Sequence, residues 1–513
     1  MPGFSDRTLS RRAMLGGLAA AGAGLVVACG GGGGSASAGG PKRGGTLNVA
    51  QEVELTTLDP AFSPAFVERE VYYNIYESLL NITPALKIVP GLATSWDVSD
   101  PTAYVFRLRQ GVKFQDGTAF DAAAVKWNLD RYLTVPGSYR RSELASVSSV
   151  EVRDAATVVL HLAHPDASLL SQLVDRAGMI LSPTAVQKAG DGFRRDATGA
   201  GTGPFQFAEW VIGDHLTIKR HPGYWKKGLP YLDSVVYHPI TDPNSSLNQL
   251  RSGSVDMVRS IAGKDVATVK SDANLVYRQI AGLGFDGMLL NSKGVFSDVK
   301  RRQAVATAID RPQLVRSVYF DVGPPSYGPL PPPSWAYDAS EKIYAKGDPK
   351  AAKQLATGFD FVLKASKDPV LVQEAQLVQA QLAKAGITAH LQIEDAAEMT
   401  SEEQAHHFDA SLLAWSGRLD PDGNTYGWFH TTGPFNWGQY SNPQVDSLLD
   451  RGRTTEAQSQ RKTIYRKVQD VVVKEAPLVF LHFWPSQEIH STSVKGFELF
   501  PDGMNRLAAV WKS

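Results

Sequence analysis

The sequence has one cysteine in 513 residues, so no disulfide can close within the chain, and a protein of this length must be held by its core alone. It has no excess of either charge, with 52 Lys and Arg against 52 Asp and Glu. Removal of residues 1–28 takes away three arginines and one aspartate, which leaves a net charge of about −2. That balance gives no support to nucleic-acid or membrane-surface binding. The uncharged run Ala13–Ala28 falls short of the roughly 20 residues a membrane-spanning helix needs. There is no G-x-S-x-G, no H-E-x-x-H and no phosphate loop ending in Gly-Lys-Ser/Thr, and "GAGTGP" breaks the spacing of G-x-G-x-x-G. The commonest nucleophile, zinc and nucleotide machinery is therefore missing, and "GTGPF" reads as a tight turn into a strand. No catalytic residue, metal or cofactor is assigned. A secreted hydrolase stays only as a remote alternative, to be tested by turnover.

What the sequence does have begins with a leader. Ser10-Arg11-Arg12-Ala13-Met14-Leu15 is a twin-arginine pattern, and the apolar run behind it reads as the core of a signal peptide over residues 1–28. Val26-Val27-Ala28-Cys29 then places the only thiol where a lipoprotein signal carries the cysteine that is lipidated and becomes the new N-terminus. Cleavage after Ala36-Ser37-Ala38, giving a soluble exported protein, is the alternative. Residues 29–43 are glycine-rich and read as a flexible linker. The remaining 470 or so residues are too many for one core and suit two or three domains.

Along the mature chain, strand and helix patterns alternate without the strict repeat of a barrel, which indicates an α/β fold. "GTLNVAQEV" alternates as a strand, and "VEREVYYNIYESLLN" carries Val67, Val71, Ile75 and Leu79 as a helical stripe. "AYVFRLRQGVKFQDGTAF" reads as two strands around a glycine turn. Asp121 is the expected N-cap of "DAAAVKWNLDRYL", and "SSVEVRDAATVVLHLA" is a hairpin turning at Asp154 to Ala156. Gly253 ends the helix "SSLNQLRSGSVDMV". After Asn291 the texture becomes capped helices separated by "FDFVLKA", "TAHLQIE" and "DASLLAW", a separate α/β domain. The C-terminal "VKGFELFPDGMNRLAAVWK" returns to the style of the first.

Few residues stand out as chemistry. His406-His407 with Glu402 and Glu403 could suggest a metal, but adjacent histidines point different ways, and a solvated helix face is the better reading. Trp415, Tyr426, Trp428, Phe429, Phe435 and Trp437 crowd a segment rich in Gly and Asn, where loops are expected to hold them. Such aromatics are either plugs of the core or, as a group around Arg418, the walls of a ligand cleft. Arg418 itself has two readings: a partner to Asp420 or Asp422, or a bidentate grip on a ligand carboxylate or phosphate.

The stretches "IYESLL", "PGLATSWDVSD", "YVFRLRQGVKFQDGTAFDAAAVKWNLDR", "GTGPFQFAEW", "YWKKGLPYLDSV", "DVKRRQAVATAIDR", "DPDGN", "YSNPQVDSLL" and "EAPLVFL" run in order over nearly the whole mature chain. Together they resemble the extracellular solute-binding proteins of family 5, which serve peptide, nickel and opine ABC importers. The resemblance implies a two-lobed periplasmic-binding-protein (Venus flytrap) fold with an extra subdomain in the first lobe. Lobe I would comprise 44–77, 199–283 and 484–513, the subdomain 78–198 and lobe II 284–483, with a hinge near Leu283 and Trp484. It implies a monomeric receptor on the periplasmic or extracellular face of the envelope. Its expected partners are a small solute or short peptide, an ABC permease with its ATPase and, through Cys29, the membrane. The implied ligand-binding residues are Arg418, Trp415, Ser416, Gly417, Trp437, Asn436 and Tyr426 from one wall, and Phe62, Ser63 and Phe66 from the loop after "LDP". Peptide-binding members are similar at Trp415-Ser416-Gly417 but commonly follow with an aspartate for the peptide's α-ammonium. Arg418 inverts that charge, so the expected ligand is a peptide-like or other small solute with an exposed anion, such as an opine, a glutathione-like peptide or a carboxylate chelate. A plain di- or oligopeptide receptor, with Arg418 on the C-terminal carboxylate, is the alternative.

Overall fold

The computed structural model describes residues 40–340 and 342–513; the twin-arginine segment, Cys29 and most of the expected linker lie outside the described residues. Among these, no helix is long and apolar enough to cross a membrane. Numbering the strands of the two large sheets in chain order, β1 (Thr46–Gln51) is followed by β2 (Ala93–Asp97), β3 (Ala103–Leu108), β4 (Val147–Asp154) and β5 (Thr157–Leu162). Then come β6 (Phe205–Val211), β7 (His215–Arg220), β8 (Ser234–Pro239), β9 (Met257–Val258) and the long β10 (Leu275–Leu290). β11 (Asp360–Ser366), β12 (Thr388–Glu394), β13 (Ala410–Trp415) and the second long strand β14 (Leu478–Ser491) complete the set. The large sheet has the order β6-β7-β8-β1-β9-β14-β10-β13-β11-β12, and the small one β2-β3-β5-β4.

Most local expectations follow their physical causes into the structure. Asp121 caps the helix Ala122–Thr134 by accepting from Ala124 N–H, and Gly253 closes Pro243–Ser252 in the left-handed conformation. The hairpin turn at Asp154 to Ala156 joins β4 to β5. Two expectations are corrected. The first helix, Phe66–Ile75, stops one turn early, because Gly201 and Gly203 pack so closely on the Ile75 carbonyl that a Cβ at either would clash with it. Leu79 is still buried, but beyond the helix. After β3, the second strand around the glycine turn is only a bridge between Lys113 and Ala119.

The two long strands build the centre. Leu275 to Ala281 of β10 pairs with Pro485 to Ser491 of β14, and Phe285 to Leu289 with Leu478 to Phe483. Between these runs the register shifts, so Gly282-Leu283-Gly284 stands against Trp484 alone, as in a bulge. Leu283 and Trp484 were the two expected crossings. Both flanking glycines are needed here, since a Cβ on Gly282 would lie 2.5 Å from Trp484 O and one on Gly284 2.8 Å from the Trp484 ring.

On either side of this bulge the buried apolar residues form separate cores. One runs from Leu47 through the small sheet to Tyr237 and takes in Val494, Leu507 and Val510 from the C-terminal segment. Lys512 also reaches Asp256, at 2.8 Å. On the other side, Met288, Leu363, Val378 and Leu481 belong to one core, and Phe285, Trp428, Tyr465 and Phe480 to another. The halves also meet away from the strands, where Ala167 N–H donates to Arg453 O at 2.8 Å and Leu419 packs on the first core.

Candidate functional site

β13 ends at Trp415, and the chain turns at Gly417 with φ +73°. A Cβ at Gly417 would lie 2.0 Å from Leu283 O, so both the backbone conformation and the close approach to the bulge require glycine there. Asp420 then caps the helix Pro421–Phe429, with proline in its first turn. Gly423 leaves that helix bare where the Arg418 stem lies, since a Cβ would come within 2.6 Å of Arg418 Cβ. The expected loop placement of the aromatics is corrected at this point. Trp415 stands on β13 and Tyr426, Trp428 and Phe429 on the helix, while Phe435 and Trp437 follow it.

Arg418 is held in place without being neutralised. Its Nη1 donates to Gly417 O (2.8 Å) and Ser416 Oγ (3.2 Å), and its guanidinium lies 4.3 Å from the Trp415 ring centroid. Asn424 Oδ1 accepts from both Arg418 N–H and Trp415 Nε1, each at 2.9 Å, which fixes arginine and ring together. The two nearby aspartates belong to other arginines. Arg461 grips Asp420 at 2.8 and 2.6 Å, and Arg453 grips Asp422 with contacts of 2.9 to 3.1 Å. No carboxylate among the described residues is within ion-pair distance of Arg418.

The opposite wall comes from the first half of the molecule. Ser416 and Phe66 line one cleft with Arg259, Leu283, Trp484 and Asp502. The Phe66 ring lies between Arg259 at 4.4 Å and Arg69 at 5.8 Å. Ser63 is fully buried; its hydroxyl donates to Glu68 (2.5 Å), and its carbonyl accepts from Arg140 (3.1 Å) and Arg176 (3.0 Å). Asp175 receives Arg69 at 2.8 and 3.1 Å, and Glu143 receives Arg140 at 2.7 and 2.8 Å. These charges feel one another. Burial, then Arg69, pushes Arg418 down to about 10, with Glu143 and Asp175 opposing and Arg140 adding. Burial and Arg140 bring Arg176 down to about 9. Burial would raise Asp175, but Arg69, Arg176, Arg418 and Arg140 hold it well below the usual carboxylate range.

The remaining candidate residues are placed differently. Tyr426 lies under Arg453, 3.3 Å from ring centroid to guanidinium, and stacks on His430. Trp437 packs on Trp428 and Phe435, so it stands behind the layer that Trp415 caps. Asn436 is buried, its amide donating to His430, Thr431 and Tyr440 carbonyls and its oxygen accepting from Tyr440 N–H. Phe62 is partly buried under Arg194, at 3.8 Å. The reading of His406 and His407 as a solvated helix face is corrected in part: the helix ends at Gln404, and His406 bonds Trp437 O at 2.8 Å. Glu403 is buried on Ser411 Oγ and pushed up to about 7 by that burial.

Arg69, Arg140, Arg176, Asp175 and Glu143 were not among the sequence candidates. They come from three distant segments, and the one local trace is Asp175-Arg176 inside the otherwise apolar "LLSQLVDRAGMIL".

Comparison with known proteins places this architecture. The sequence profile described as "Bacterial extracellular solute-binding proteins, family 5 Middle" matches residues 87–436. The chain is 31% identical over 478 residues to the glutathione-binding protein GsiB of Shigella boydii serotype 4 (strain Sb227), covering 88% of this chain and 92% of that protein. Among solved structures, it superposes with a TM-score of 0.83 on the periplasmic binding protein DppA from Helicobacter pylori in complex with peptide STSA. Identity there is 26%, over 92% of this chain and 98% of that one. AgaA from A.tumefacien R10, in complex with agropinic acid, superposes equally with a TM-score of 0.83 at 30% identity, over 91% of this chain and 99% of that one. As the sequence motifs implied, this two-lobed α/β chain belongs to the family 5 bacterial extracellular solute-binding proteins, the substrate-binding components of ABC importers.

Proposed function

We propose that this receptor takes a small solute with an exposed anionic group, a short peptide or a peptide-like molecule such as an opine, a glutathione-like peptide or a carboxylate chelate. The solute lies between lobe I (44–77, 199–283 and 484–513, with subdomain 78–198) and lobe II (284–483). The bulge of Gly282-Leu283-Gly284 against Trp484 is the hinge. Arg418, Trp415, Ser416 and Gly417 form one wall, and Ser63 and Phe66 the other. Tyr426, Asn436 and Trp437 hold the first wall from behind, and Phe62 sits under Arg194 at its own end of the loop. The observation that carries this reading is that Arg418 has no carboxylate of its own among the described residues, while Asp420 and Asp422 are both taken. A guanidinium pushed down by burial lacks a counter-charge, and a ligand anion supplies it. The names of relatives point the same way: one binds glutathione and one was solved with agropinic acid.

Native mass spectrometry of the purified protein identifies retained ligand, and calorimetry of that ligand against Arg418→Ala tests the grip. The expected loss is about 2–5 kcal/mol, with Arg418→Lys recovering part of it. Affinity unchanged in Arg418→Ala overturns the reading. Binding of unmodified dipeptides alone would assign Arg418 to a peptide C-terminal carboxylate.

The receptor is lipid-anchored at Cys29 on the periplasmic or extracellular face, delivers its solute to an ABC permease and acts as a monomer without catalysis. Support for the anchor is the lone cysteine behind an apolar run. Cys29→Ser should release the protein from the membrane fraction, and a mature N-terminus at Gly39 by mass would mean a soluble receptor instead.

A further inference from the structure

The cation excess around Arg418 is larger than Arg418 alone accounts for. Arg69, Arg140 and Arg176 are 4%, 2% and 2% exposed, and they interlock. Arg140 and Arg176 share the Ser63 carbonyl, while Arg69 and Arg176 share Asp175 Oδ1 at 3.1 and 3.7 Å. With Arg418 they make four guanidiniums around two carboxylates, Asp175 and Glu143. Glu68 is taken up by Thr56, Ser63 and Ala65. Each of the three first-lobe arginines keeps one buried N–H without a hydrogen-bond partner among the described residues: Arg69 Nη1, Arg140 Nε and Arg176 Nε. Leaving such donors unmet is costly; Arg176 Nε still faces Asp175 Oδ1 at 3.7 Å, and the Arg69 and Arg140 donors call for acceptors from outside the chain.

Resting on the proposal that Arg418 holds a ligand anion, we infer that the site takes a ligand with two anionic groups. One is held by Arg418 from the second lobe and the other by Arg69, Arg140 and Arg176 from the first. The first-lobe arginines are then specificity-determining residues: a ligand with one anion satisfies one wall and leaves like charges facing each other across the cleft. A ligand with two cancels that repulsion and draws the lobes together, because its differential affinity for the closed form is what shifts the balance.

The test uses simple probes on the mature protein: dicarboxylates of three to six carbons (malonate, succinate, glutarate, adipate) against monocarboxylates of the same lengths, at matched ionic strength. The readouts are thermal midpoint and radius of gyration by solution scattering. At least one dicarboxylate should raise the midpoint by a few degrees over its monocarboxylate and shrink the radius of gyration. Arg140→Lys, which keeps the charge but not the Nε–H, and Arg418→Gln should each abolish that difference. If dicarboxylates and monocarboxylates act alike at every length, the two-anion inference falls. Should Arg418→Gln weaken both probe types equally, the Arg418 grip stands and only the second anion is lost. A dicarboxylate effect that survives Arg418→Gln in full would remove the Arg418 reading, and this inference with it.

Discussion

Behind Arg418, two arginines of the second lobe each have an aspartate to themselves: Arg461 on Asp420 and Arg453 on Asp422. In front of it, three guanidiniums share Asp175 and Glu143, and Arg418 pairs with neither. The residues are of one kind and the burial is similar, but one set is balanced and the other is not. A matched set gains from its own pairing and has nothing left to offer a solute. On the proposed reading an unmatched set leaves like charges that an outside anion would relieve, so imbalance rather than the number of arginines is what singles out the proposed binding surface.

The comparison breaks most readily at Asp420. Asp420→Ala strands the Arg461 guanidinium and strips the cap from the helix Pro421–Phe429, so denaturant unfolding should show a loss of about 3–5 kcal/mol. A loss below about 1 kcal/mol would make the rear pairs as dispensable as surface ones. Arg418→Ala is the mirror image. It should cost the affinity given above while leaving unfolding free energy within about 1 kcal/mol of wild type or raising it, since a repelled cation is removed. If instead its main effect is unfolding, Arg418 belongs with the rear set.

Glu403 extends the contrast to an acid without an arginine. Its folded value of about 7 lies above the ordinary 4.5, burial being the main cause. The folded chain therefore holds this proton more tightly, so the Glu403 contribution is fully present below about pH 4.5. It declines as pH rises through 7, by about 3 kcal/mol at most. Glu403→Gln should flatten that slope between pH 5 and 8; an unchanged slope would show that Glu403 titrates normally. The smallest effect is expected at Asp121, far from both arginine sets. Asp121→Ala should cost about 1 kcal/mol through its lost helix cap and leave binding untouched.

Local chemistry was legible and convergence was not. Asp121, Gly253 and the turn at Asp154 act on neighbours a few residues away, so their effects are written in adjacent positions. The Gly- and Asn-rich segment that carries the aromatics reads as loop because Gly and Asn usually signal a turn. Here Pro421 opens a helix, Gly423 makes room for the Arg418 stem, and Gly427 would strike Phe435 if it had a Cβ, at 2.7 Å. The glycines serve packing, and the aromatics expected on loops became the body of a core. Arg418 could be singled out because it stands in a short stretch of known type. Its counterparts Arg69, Arg140 and Arg176 lie in a helix, a turn and a short helical segment spread over more than a hundred residues, and only the folded chain brings them to Ser63 and Asp175.

β10 and β14 have a further consequence. Each is a single strand that runs through the bulge, β10 flanked on both edges only after it and β14 only at Ile489 and His490, so the chain passes between its halves without any linker in the ordinary sense. A protease looking for a joint finds only a short bulge set between paired strand, so excision of either half as an intact fragment is not expected. The two halves should therefore melt as one cooperative unit, and a truncation at either crossing should destroy both.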